Sequence, residues 1–184
     1  MIFGRPKSAP ERIEKLVIQV QDGDKNAFGK IYDHFVEQIY RFIYFKVGEK
    51  ETAEDLTQTV FLKALERIGS YRRDSQFASW LFAITRNSIT DYFRGRKTKI
   101  SLDKIAEPEV PDNTQALEVQ EDVDQLLKII RSLGEDEQEI IVLNCVEQYN
   151  ISEIAQMTDK TENNLRVLKH RALKKIKEKI NNGK

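Results

Sequence analysis

Apolar residues recur along most of this chain at the three- and four-residue spacing of an amphipathic helix. No segment keeps the two-residue alternation of a strand for long. Gly23 and Gly48 stand where helices are expected to stop, and Ser8 and Asp24 stand where N-caps are expected. The pattern therefore predicts an all-α protein.

The first half of the chain contains four such apolar runs. The predicted helices begin near four residues, in order Pro10, Asp24, Thr52 and Phe77. A polar connector over residues 70–76 precedes the fourth run, which extends to Lys99. The third run ends at Ile68, and its predicted buried stripe is Ala53, Leu56, Val60, Phe61, Ala64, Leu65 and Ile68.

The helical pattern stops between Thr98 and Gln115. Pro108 and Pro111 lie there among acidic residues, and no apolar period survives. Such a composition is typical of an extended, flexible linker. The sequence therefore predicts two small helical domains, residues 8–97 and 116–184, joined by an acidic linker over residues 98–115.

The second domain ends in two helices joined by a tight polar turn. Its first helix is predicted from near Ala116, with an apolar stripe of Val123, Leu126, Leu127, Ile130 and Leu133, and its second from Asp136 to Val146. A short helix then precedes a turn at residues 158–160. Thr161 can cap the last helix, whose predicted inward face is Leu165, Leu168, Ala172, Ile176 and Ile180. This layout predicts a helix-turn-helix, which can enter a major groove.

The fourth run of the first domain combines cationic and aromatic side chains. Its rings are Phe77, Trp80, Phe82, Tyr92 and Phe93, and its basic and amide residues are Arg86, Asn87, Arg94, Arg96, Lys97 and Lys99. Cations for phosphates beside rings for unstacked bases are typical of a single-strand nucleic-acid surface. The alternative is an ordinary amphipathic helix with a solvated basic end and a core of aromatic residues.

The formal net charge is zero, with 30 basic and 30 acidic residues, but the charges are unevenly placed. The segment from Asp103 to Asp124 is strongly acidic, whereas the segment from Lys160 to Lys184 is strongly basic. With the basic end of the fourth run, the chain thus has two basic segments separated by an acidic one. This asymmetry favours two anion-binding segments and a connector that avoids anions. One further hypothesis is that residues 103–124 cover the basic surfaces in the free protein and lower its DNA affinity.

Cys145 is the single cysteine and lies within an apolar run, so a buried structural thiol is expected and an internal disulfide is excluded. The first residues lack an apolar signal core, and no run approaches the roughly 18 apolar residues of a membrane span. We expect a cytoplasmic protein that makes no membrane contact of its own.

Three strings of the sequence, in their order, resemble the bacterial RNA polymerase sigma factors. They are AEDLTQTVFLKAL at residues 53–65, FASWLFAITRNSITDYFR at 77–94, and the segment from ISEIA to NLRVLKHRAL at 151–173. The sequence is most similar to the small two-domain extracytoplasmic-function (group IV) type, over about residues 23–97 and 124–180. The resemblance implies a factor that directs core polymerase to promoters, recognises −35 and −10 elements and promotes DNA melting. The implied partners are the clamp coiled-coil and flap of core RNA polymerase, promoter DNA and an anti-sigma factor.

The resemblance also assigns roles to residues. It places polymerase docking, direct or supporting, on Glu54, Asp55, Leu56, Gln58 and Phe61. It places contact with the −10 element on Phe77, Trp80, Asn87, Tyr92 and Arg94. Our own hypothesis is that phosphates of the same element are held by Arg86, Arg94, Arg96 and Lys97. It places contact with the −35 element on Arg166, Lys169 and Arg171. From the outward side of the same helix we add, as further candidates for this contact, Asn163, Asn164, His170 and Lys174. Our hypothesis for the −10 set is that the connector from Tyr71 to Phe77 and the Asn87 side chain receive a flipped base.

The last helix departs from the family pattern. Asn163-Asn164 replace a frequent Gly-Thr pair, Val167-Leu168 replace a frequent Ser-Arg pair, and Gly134 stands where a proline is usual. Because asparagine can read adenine bidentately, we expect a changed −35 preference. A sigma homologue that has lost promoter activity stays open as an alternative.

Two other classes of protein compete with this interpretation. A helix-turn-helix regulator acting without polymerase would bind duplex DNA tightly alone, but it leaves the string at residues 53–65 unexplained. A metal-dependent nuclease could use the carboxylates of Glu51, Glu54, Asp55 and Asp74. Those carboxylates lack histidine partners, and no glycine-rich phosphate loop accompanies them. The sequence therefore predicts no catalytic residue, metal or cofactor.

Overall fold

The computed structural model describes residues 10–102 and 118–182, with side chains for residues 11–96 and 125–181. All regular secondary structure in this part of the chain is helical, as predicted. The described residues fall into two compact units, residues 10–102 in one and 118–182 in the other.

The N-terminal unit contains four helices and one 3-10 turn. The helices are α1 (Pro10–Gln21), α2 (Lys25–Val47), α3 (Lys50–Arg67) and α4 (Phe77–Leu102), and the turn is Ile68–Ser70. The Asp24 side chain accepts a hydrogen bond of 2.9 Å from the Asn26 N–H and so caps α2. Gly48 ends α2 with φ of 84°, a left-handed conformation that glycine adopts without strain. The predicted start and stop of α2 are therefore confirmed.

The core of this unit lies between α2, α3 and α4. Phe42 and Phe82 meet edge to face there, with ring centroids 5.2 Å apart, and Ile39 and Leu81 are fully buried beside them. The predicted stripe of α3 is wrong at Leu65, which is exposed, and Leu56 is only half-buried. Both leucines lie at the edges of the packed face, because α3 buries only a narrow strip, made of Ala53, Thr57, Val60, Phe61 and Ala64.

Helix α4 continues to Leu102, beyond residue 98 where the linker was predicted to begin. Residues 103–117 lie outside the described residues. The hypothesis that the acidic segment covers the basic surfaces therefore falls largely outside them, as does the N-cap predicted at Ser8.

The C-terminal unit contains α5 (Glu118–Arg131), α6 (Glu135–Ile141), α7 (Ile151–Met157) and α8 (Glu162–Asn182), and α6 continues into a π-helical turn at Val142–Val146. Asn150 and Glu153 cap α7 reciprocally, each side chain accepting the other residue's N–H at 2.9 and 2.8 Å. Thr161 caps α8, since its Oγ1 accepts from the Asn164 N–H at 3.3 Å. Helices α7 and α8 with the turn between them form the predicted helix-turn-helix.

Tyr149, Ile154, Leu165 and Ala172 lie in the core of this unit. The predicted inward positions Leu126 and Ile180 are wrong, because both side chains are exposed; Ile129, which was not predicted, is buried instead. The side chains of Leu126 and Ile180 therefore face solvent rather than the packed side of their helices.

Cys145 is exposed, so the prediction of a buried thiol is also wrong. The π-helical turn directs Leu143 inward and leaves Cys145 at the surface. Partial desolvation raises the pKa of the Cys145 thiol, while the charge of Lys169 opposes that shift. The thiol is therefore mainly protonated at neutral pH.

A buried carboxylate joins α6 to α8. Both carboxylate oxygens of Glu137 lie 2.8 Å from the Lys175 Nζ, and the Gly134 N–H donates to Glu137 Oε2 at 3.3 Å. The Glu137 side chain is only 10% exposed. The hydrogen bond from Lys175, followed by the bond from Gly134, lowers the pKa of Glu137 against the opposing effect of desolvation.

We expect Glu137→Gln to destabilise the C-terminal unit and to reduce its loss of stability in acid. Since the folded pKa of Glu137 lies below the unfolded value, its stabilisation is present above the unfolded pKa and disappears as pH falls through the folded pKa. Urea unfolding at pH 7 and pH 3, followed by the NMR methyl signals of Leu165 and Ala172, measures the difference. Glu178→Gln is the control, because its contact with Lys174 at 4.0 Å is exposed and contributes little. Equal pH dependence in wild type and Glu137→Gln would contradict the assignment.

Candidate functional sites

The outer face of α3 carries both polar and apolar exposed side chains. Asp55, Gln58, Leu62 and Leu65 follow one another at intervals of three and four residues, so they form one stripe along the helix, and we call these four residues the α3 stripe. Leu62 is 62% exposed and Leu65 is 42% exposed. Acidic, amide and apolar groups therefore share a single unpacked surface of this unit.

Of the residues predicted for polymerase docking, Glu54, Asp55 and Gln58 are exposed and Leu56 is half-buried. Phe61 is different, since it is only 4% exposed and packs edge to face with Tyr32 at 4.7 Å. In this conformation the Phe61 ring is not accessible to a partner. It packs on Tyr32 of α2 and so helps to fix the position of α3.

Sequence analysis missed Leu62 and Leu65 as surface residues. Their apolar character placed Leu65 in the predicted core stripe. The available signal was their position one residue beyond the buried Phe61 and Ala64, about 100° around the helix. A large exposed leucine pair next to acidic residues is more informative than either feature alone.

We expect Phe61→Leu to preserve docking, whereas Phe61→Ala should destabilise the N-terminal unit by about 3–5 kcal/mol because it leaves a cavity against Tyr32 and Phe28. Thermal unfolding followed by Trp80 fluorescence, together with a core polymerase binding assay, tests both. Loss of polymerase binding in a stably folded Phe61→Leu variant would show that the ring contacts the partner after all.

Most of the side chains predicted for the −10 element lie at the surface of α4. Asn87, Arg94 and Arg96 are exposed, and the half-buried members of the set are Trp80, Arg86 and Tyr92. Lys97 lies outside the residues whose side chains are described.

The prediction that the Phe77 ring contacts DNA is contradicted by its burial. Phe77 is 1% exposed and packs against Phe35, Tyr71 and Trp80, with ring centroids 5.3–5.9 Å apart. Its position at the first turn of α4 places it beneath the connector, where it fills the core. Phe82 is likewise fully buried, so the aromatic residues of α4 divide between core and surface.

Side chains of α3 and α4 together line a polar cleft of about 390 Å³, formed by Lys63, Arg67, Ile84, Asn87, Ser88, Thr90, Asp91 and Arg94. Lys63 Nζ donates to Ser88 Oγ at 3.1 Å and lies 3.9 Å from the Asp91 carboxylate. Arg94 contacts the same carboxylate at 2.9 Å. We call this the α3–α4 cleft. It presents three cations, one amide and one carboxylate to any ligand that enters.

Lys63 and Arg67 are cleft residues that sequence analysis did not assign. They lie on α3, 24 and 20 positions before Asn87, and only the packing of α3 on α4 brings them together. Their spacing of four residues, which places them on one side of α3, was the available signal.

The connector 71–76 begins at the buried Tyr71 and is followed by the buried Phe77, the first residue of α4. Residues 72–75 are exposed, and Arg73 has φ of 57°, a left-handed conformation that is uncommon for a residue with a side chain. Burial raises the pKa of Tyr71, and its hydrogen bond to Glu14 adds to the effect. The phenol therefore stays protonated and can donate a hydrogen bond at neutral pH.

The residues predicted for the −35 element lie along the outer side of α8. Lys169 is half-buried, and the exposed members are Asn163, Asn164, Arg166, His170, Arg171 and Lys174. Arg166 forms an ion pair of 2.6 Å with Glu162 one turn earlier, which orients its guanidinium along the helix. Amide groups at the start of the helix and cations along its length suit base edges and phosphates respectively.

In the described ranges, 10–102 and 118–182, no cluster of three histidine, cysteine, aspartate or glutamate residues could hold a metal ion. Within the same ranges, every helix is too short or too polar to cross a membrane.

Comparison with protein families identifies both units. Residues 31–99 match sigma-70 region 2, and residues 124–176 match sigma-70 region 4. The chain belongs to the sigma-70 family of RNA polymerase sigma factors. The region 2 match includes the string at residues 53–65, which a stand-alone helix-turn-helix regulator left unexplained.

Individual relatives place the chain in the extracytoplasmic-function group. It is 32% identical over 173 residues to the ECF RNA polymerase sigma factor BldN of Streptomyces coelicolor, covering 90% of this chain and 64% of BldN. It is 26% identical over 183 residues to the ECF RNA polymerase sigma factor SigW of Bacillus subtilis, covering 91% of this chain and 96% of SigW. It is thus an extracytoplasmic-function sigma factor, which binds core RNA polymerase and promoter DNA to initiate transcription at specific promoters.

Solved structures share the fold. CnrH, solved in complex with the cytosolic domain of CnrY, matches with a TM-score of 0.74 at 19% identity, covering 95% of this chain and 99% of CnrH. RpoE from Bartonella quintana, solved in complex with the anti-sigma factor NepR, matches with a TM-score of 0.67 at 21% identity, covering 84% of this chain and 96% of RpoE. Both comparisons support the two-domain helical architecture.

Proposed function

We propose that this sigma factor binds core polymerase and the two promoter elements through three separate surfaces. The α3 stripe docks on the clamp coiled-coil of core polymerase, the α3–α4 cleft and the connector 71–76 bind the −10 element, and α8 reads the −35 element. The observation that carries the −10 assignment is the α3–α4 cleft, which is lined by Asn87 and by three cations from two helices.

In the −10 element, we assign base recognition to Asn87 and phosphate contacts to Lys63, Arg67 and Arg94. Extruding a base from the duplex costs a few kcal/mol, which hydrogen bonds to an amide and stacking on an aromatic ring can offset. The half-buried rings of Trp80 and Tyr92 supply apolar surface near the cleft, and Arg86 and Arg96 add positive charge on the same helix. Phosphate oxygens then compete with Asp91 for the cations that it holds in the free protein.

The two DNA-binding units, residues 8–97 and 116–184, are proposed to act as separate domains tethered by the acidic linker predicted for residues 98–115, of which residues 98–102 belong to α4. Each unit has a small surface, so each contact alone is weak. Tethering raises the effective concentration of the second unit once the first has bound, and polymerase fixes the spacing of both. The C-terminal unit is proposed to bind the polymerase flap while α8 lies in the major groove.

The factor is proposed to act in the cytoplasm and to have no catalytic activity, cofactor or metal of its own, the chemistry of RNA synthesis being that of the polymerase. We also propose an anti-sigma factor as a regulatory partner. Support comes from RpoE, a fold relative that was solved with the anti-sigma factor NepR.

Run-off transcription with purified core polymerase and a library of promoter fragments tests the proposal. We expect specific transcripts that appear only when this protein is added, and aligning their upstream sequences gives the −35 and −10 elements. Stable polymerase binding without transcripts would instead indicate a homologue that has lost promoter activity. Failure to bind polymerase would contradict the role proposed for the α3 stripe.

A further inference from the structure

Helix α1 lies outside the region 2 match, which begins at residue 31, yet two of its side chains reach the connector 71–76. Gln21 Nε2 donates to the carbonyl oxygens of Ile68 and Tyr71 at 2.8 and 3.0 Å. Glu14 Oε1 accepts from the Tyr71 hydroxyl and from the Phe77 N–H, both at 3.0 Å. These bonds span 47 to 63 positions of sequence.

The contacts fix the connector at both of its ends. Gln21 donates to the carbonyl oxygens of the first residue of the 3-10 turn and of Tyr71, the residue after it, and Glu14 accepts from the first N–H of α4. Glu14 and Gln21 are seven residues apart, so they lie on one face of α1, about 10 Å from each other. One face of α1 therefore anchors the chain at both ends of the connector, so α1 acts as a brace across it.

Tyr71 connects Glu14 of α1 to Ser75 within the connector. The single hydroxyl proton of Tyr71 is shared between two acceptors, the Ser75 carbonyl oxygen at 2.5 Å and Glu14 Oε1 at 3.0 Å. The ring is buried between Phe77 and Trp80, with centroids 5.5 and 5.4 Å away, so it cannot move without disturbing the core. The hydrogen bonds of Tyr71 therefore constrain the exposed residues 72–75, among which Arg73 has a left-handed backbone.

Burying one oxygen of the Glu14 carboxylate lowers the stability of the fold, so a role other than stability is needed to account for it. Its Oε2 atom is buried and makes no hydrogen bond within the described part of the structure. A buried polar atom without a partner is destabilising, and native structures contain few of them. A carboxylate here accepts from two donors, the Tyr71 hydroxyl and the Phe77 N–H at the start of α4, and its charge also suits the positive end of that helix.

We propose that Glu14 and Gln21 are positioning residues that hold the connector 71–76 in the conformation that receives the extruded −10 base. This inference rests on the proposed function of the connector. A preorganised connector loses less conformational freedom when DNA binds, so promoter opening is faster than with a mobile one. Neither side chain contacts DNA in this scheme; both act through Tyr71 and the backbone.

The experiment uses the full chain bound to core polymerase and a promoter fragment from the run-off screen. 2-Aminopurine replaces each −10 base of the non-template strand in turn, and the rise in its fluorescence gives the rate of base extrusion. The variants are Glu14→Ala, Glu14→Gln and Gln21→Ala. Glu11→Ala is the matched control, since Glu11 is exposed on the same helix.

We expect Glu14→Ala and Gln21→Ala to slow extrusion at least about tenfold, which corresponds to about 1.4 kcal/mol, while Glu11→Ala opens at the wild-type rate. Glu14→Gln should recover most of the rate, because its amide oxygen still accepts from Tyr71 and Phe77. Affinities for core polymerase and for −35 duplex should stay unchanged. Hydrogen exchange at the Phe77 amide should accelerate in Glu14→Ala.

Two results overturn the inference while leaving the proposed function intact. One is extrusion by Glu14→Ala and Gln21→Ala at the Glu11→Ala rate. The other is an equal loss of extrusion, polymerase binding and −35 binding in those variants, which would show a general folding role. A wild-type holoenzyme that gives no fluorescence rise at any −10 position is a different failure. It would refute base capture by the connector and the inference with it.

Discussion

Placing arginine on the α3 stripe, as Asp55→Arg or Leu62→Arg, is expected to lower the affinity for core polymerase by at least about tenfold each. Both side chains are exposed, so the substitutions remove no buried contact of the folded protein. Asp55→Arg replaces attraction to a cationic partner with repulsion, and Leu62→Arg introduces a charge that must be desolvated at the centre of the contact. The double variant should lose about 100-fold or more, corresponding to about 2.8 kcal/mol.

Competition binding to core polymerase measures these affinities, and thermal unfolding confirms that each variant is folded. Asp33→Arg on α2 is the matched charge reversal, because Asp33 is exposed but lies outside the α3 stripe. We expect it to bind like wild type. Wild-type affinity in the double variant would require a different docking surface. A loss in Asp33→Arg as large as in Asp55→Arg would mean that net charge, rather than the stripe, controls binding.

Removing the amide side chains at the start of α8 is expected to relax −35 specificity rather than to weaken binding uniformly. Asn163 and Asn164 occupy the first turn of α8, the part of a recognition helix that reaches base edges. A bidentate asparagine–adenine pair discriminates by about 1–3 kcal/mol, or about 5- to 150-fold. At least one of Asn163→Ala and Asn164→Ala should therefore lose discrimination at one base pair.

Holoenzyme binding to a panel of −35 variants measures this discrimination at fixed salt. Lys174→Ala provides the contrast, because an exposed lysine further along α8 is expected to contact phosphate. It should weaken binding to all sequences alike and reduce the salt slope by about one. If both alanine variants at the asparagines also lose affinity uniformly, these residues position the helix and the −35 preference comes from elsewhere.

The helices and the helix-turn-helix could be predicted from the sequence because their signals are local. Asp24 and Gly48 mark the ends of α2 through hydrogen bonds and backbone angles within a few residues of each end. Thr161 similarly marks the start of α8. The strings at residues 53–65 and 77–94 are contiguous, so the family resemblance also needed no tertiary information.

The burial of residues at the border of a helix's packed face could not be predicted, because it depends on which neighbouring helix lies against that face. Phe61 and Leu62 are adjacent large apolar residues, yet one is buried against Tyr32 and the other is 62% exposed. Phe77 lies in the core, whereas Cys145, within an apolar run, lies at the surface. Periodicity gives the direction of a face but not the width of the packed strip.

The sequence by itself determined the helical class, the helix-turn-helix and the membership of the sigma-70 family, since each depends on residues close together along the chain. Only the tertiary structure decided that Lys63 and Arg67 share a cleft with Asn87, and that Glu14 reaches Phe77 across 63 positions. The physical reason is that side chains far apart in sequence meet only after helices have packed, and the packing is set by the whole core.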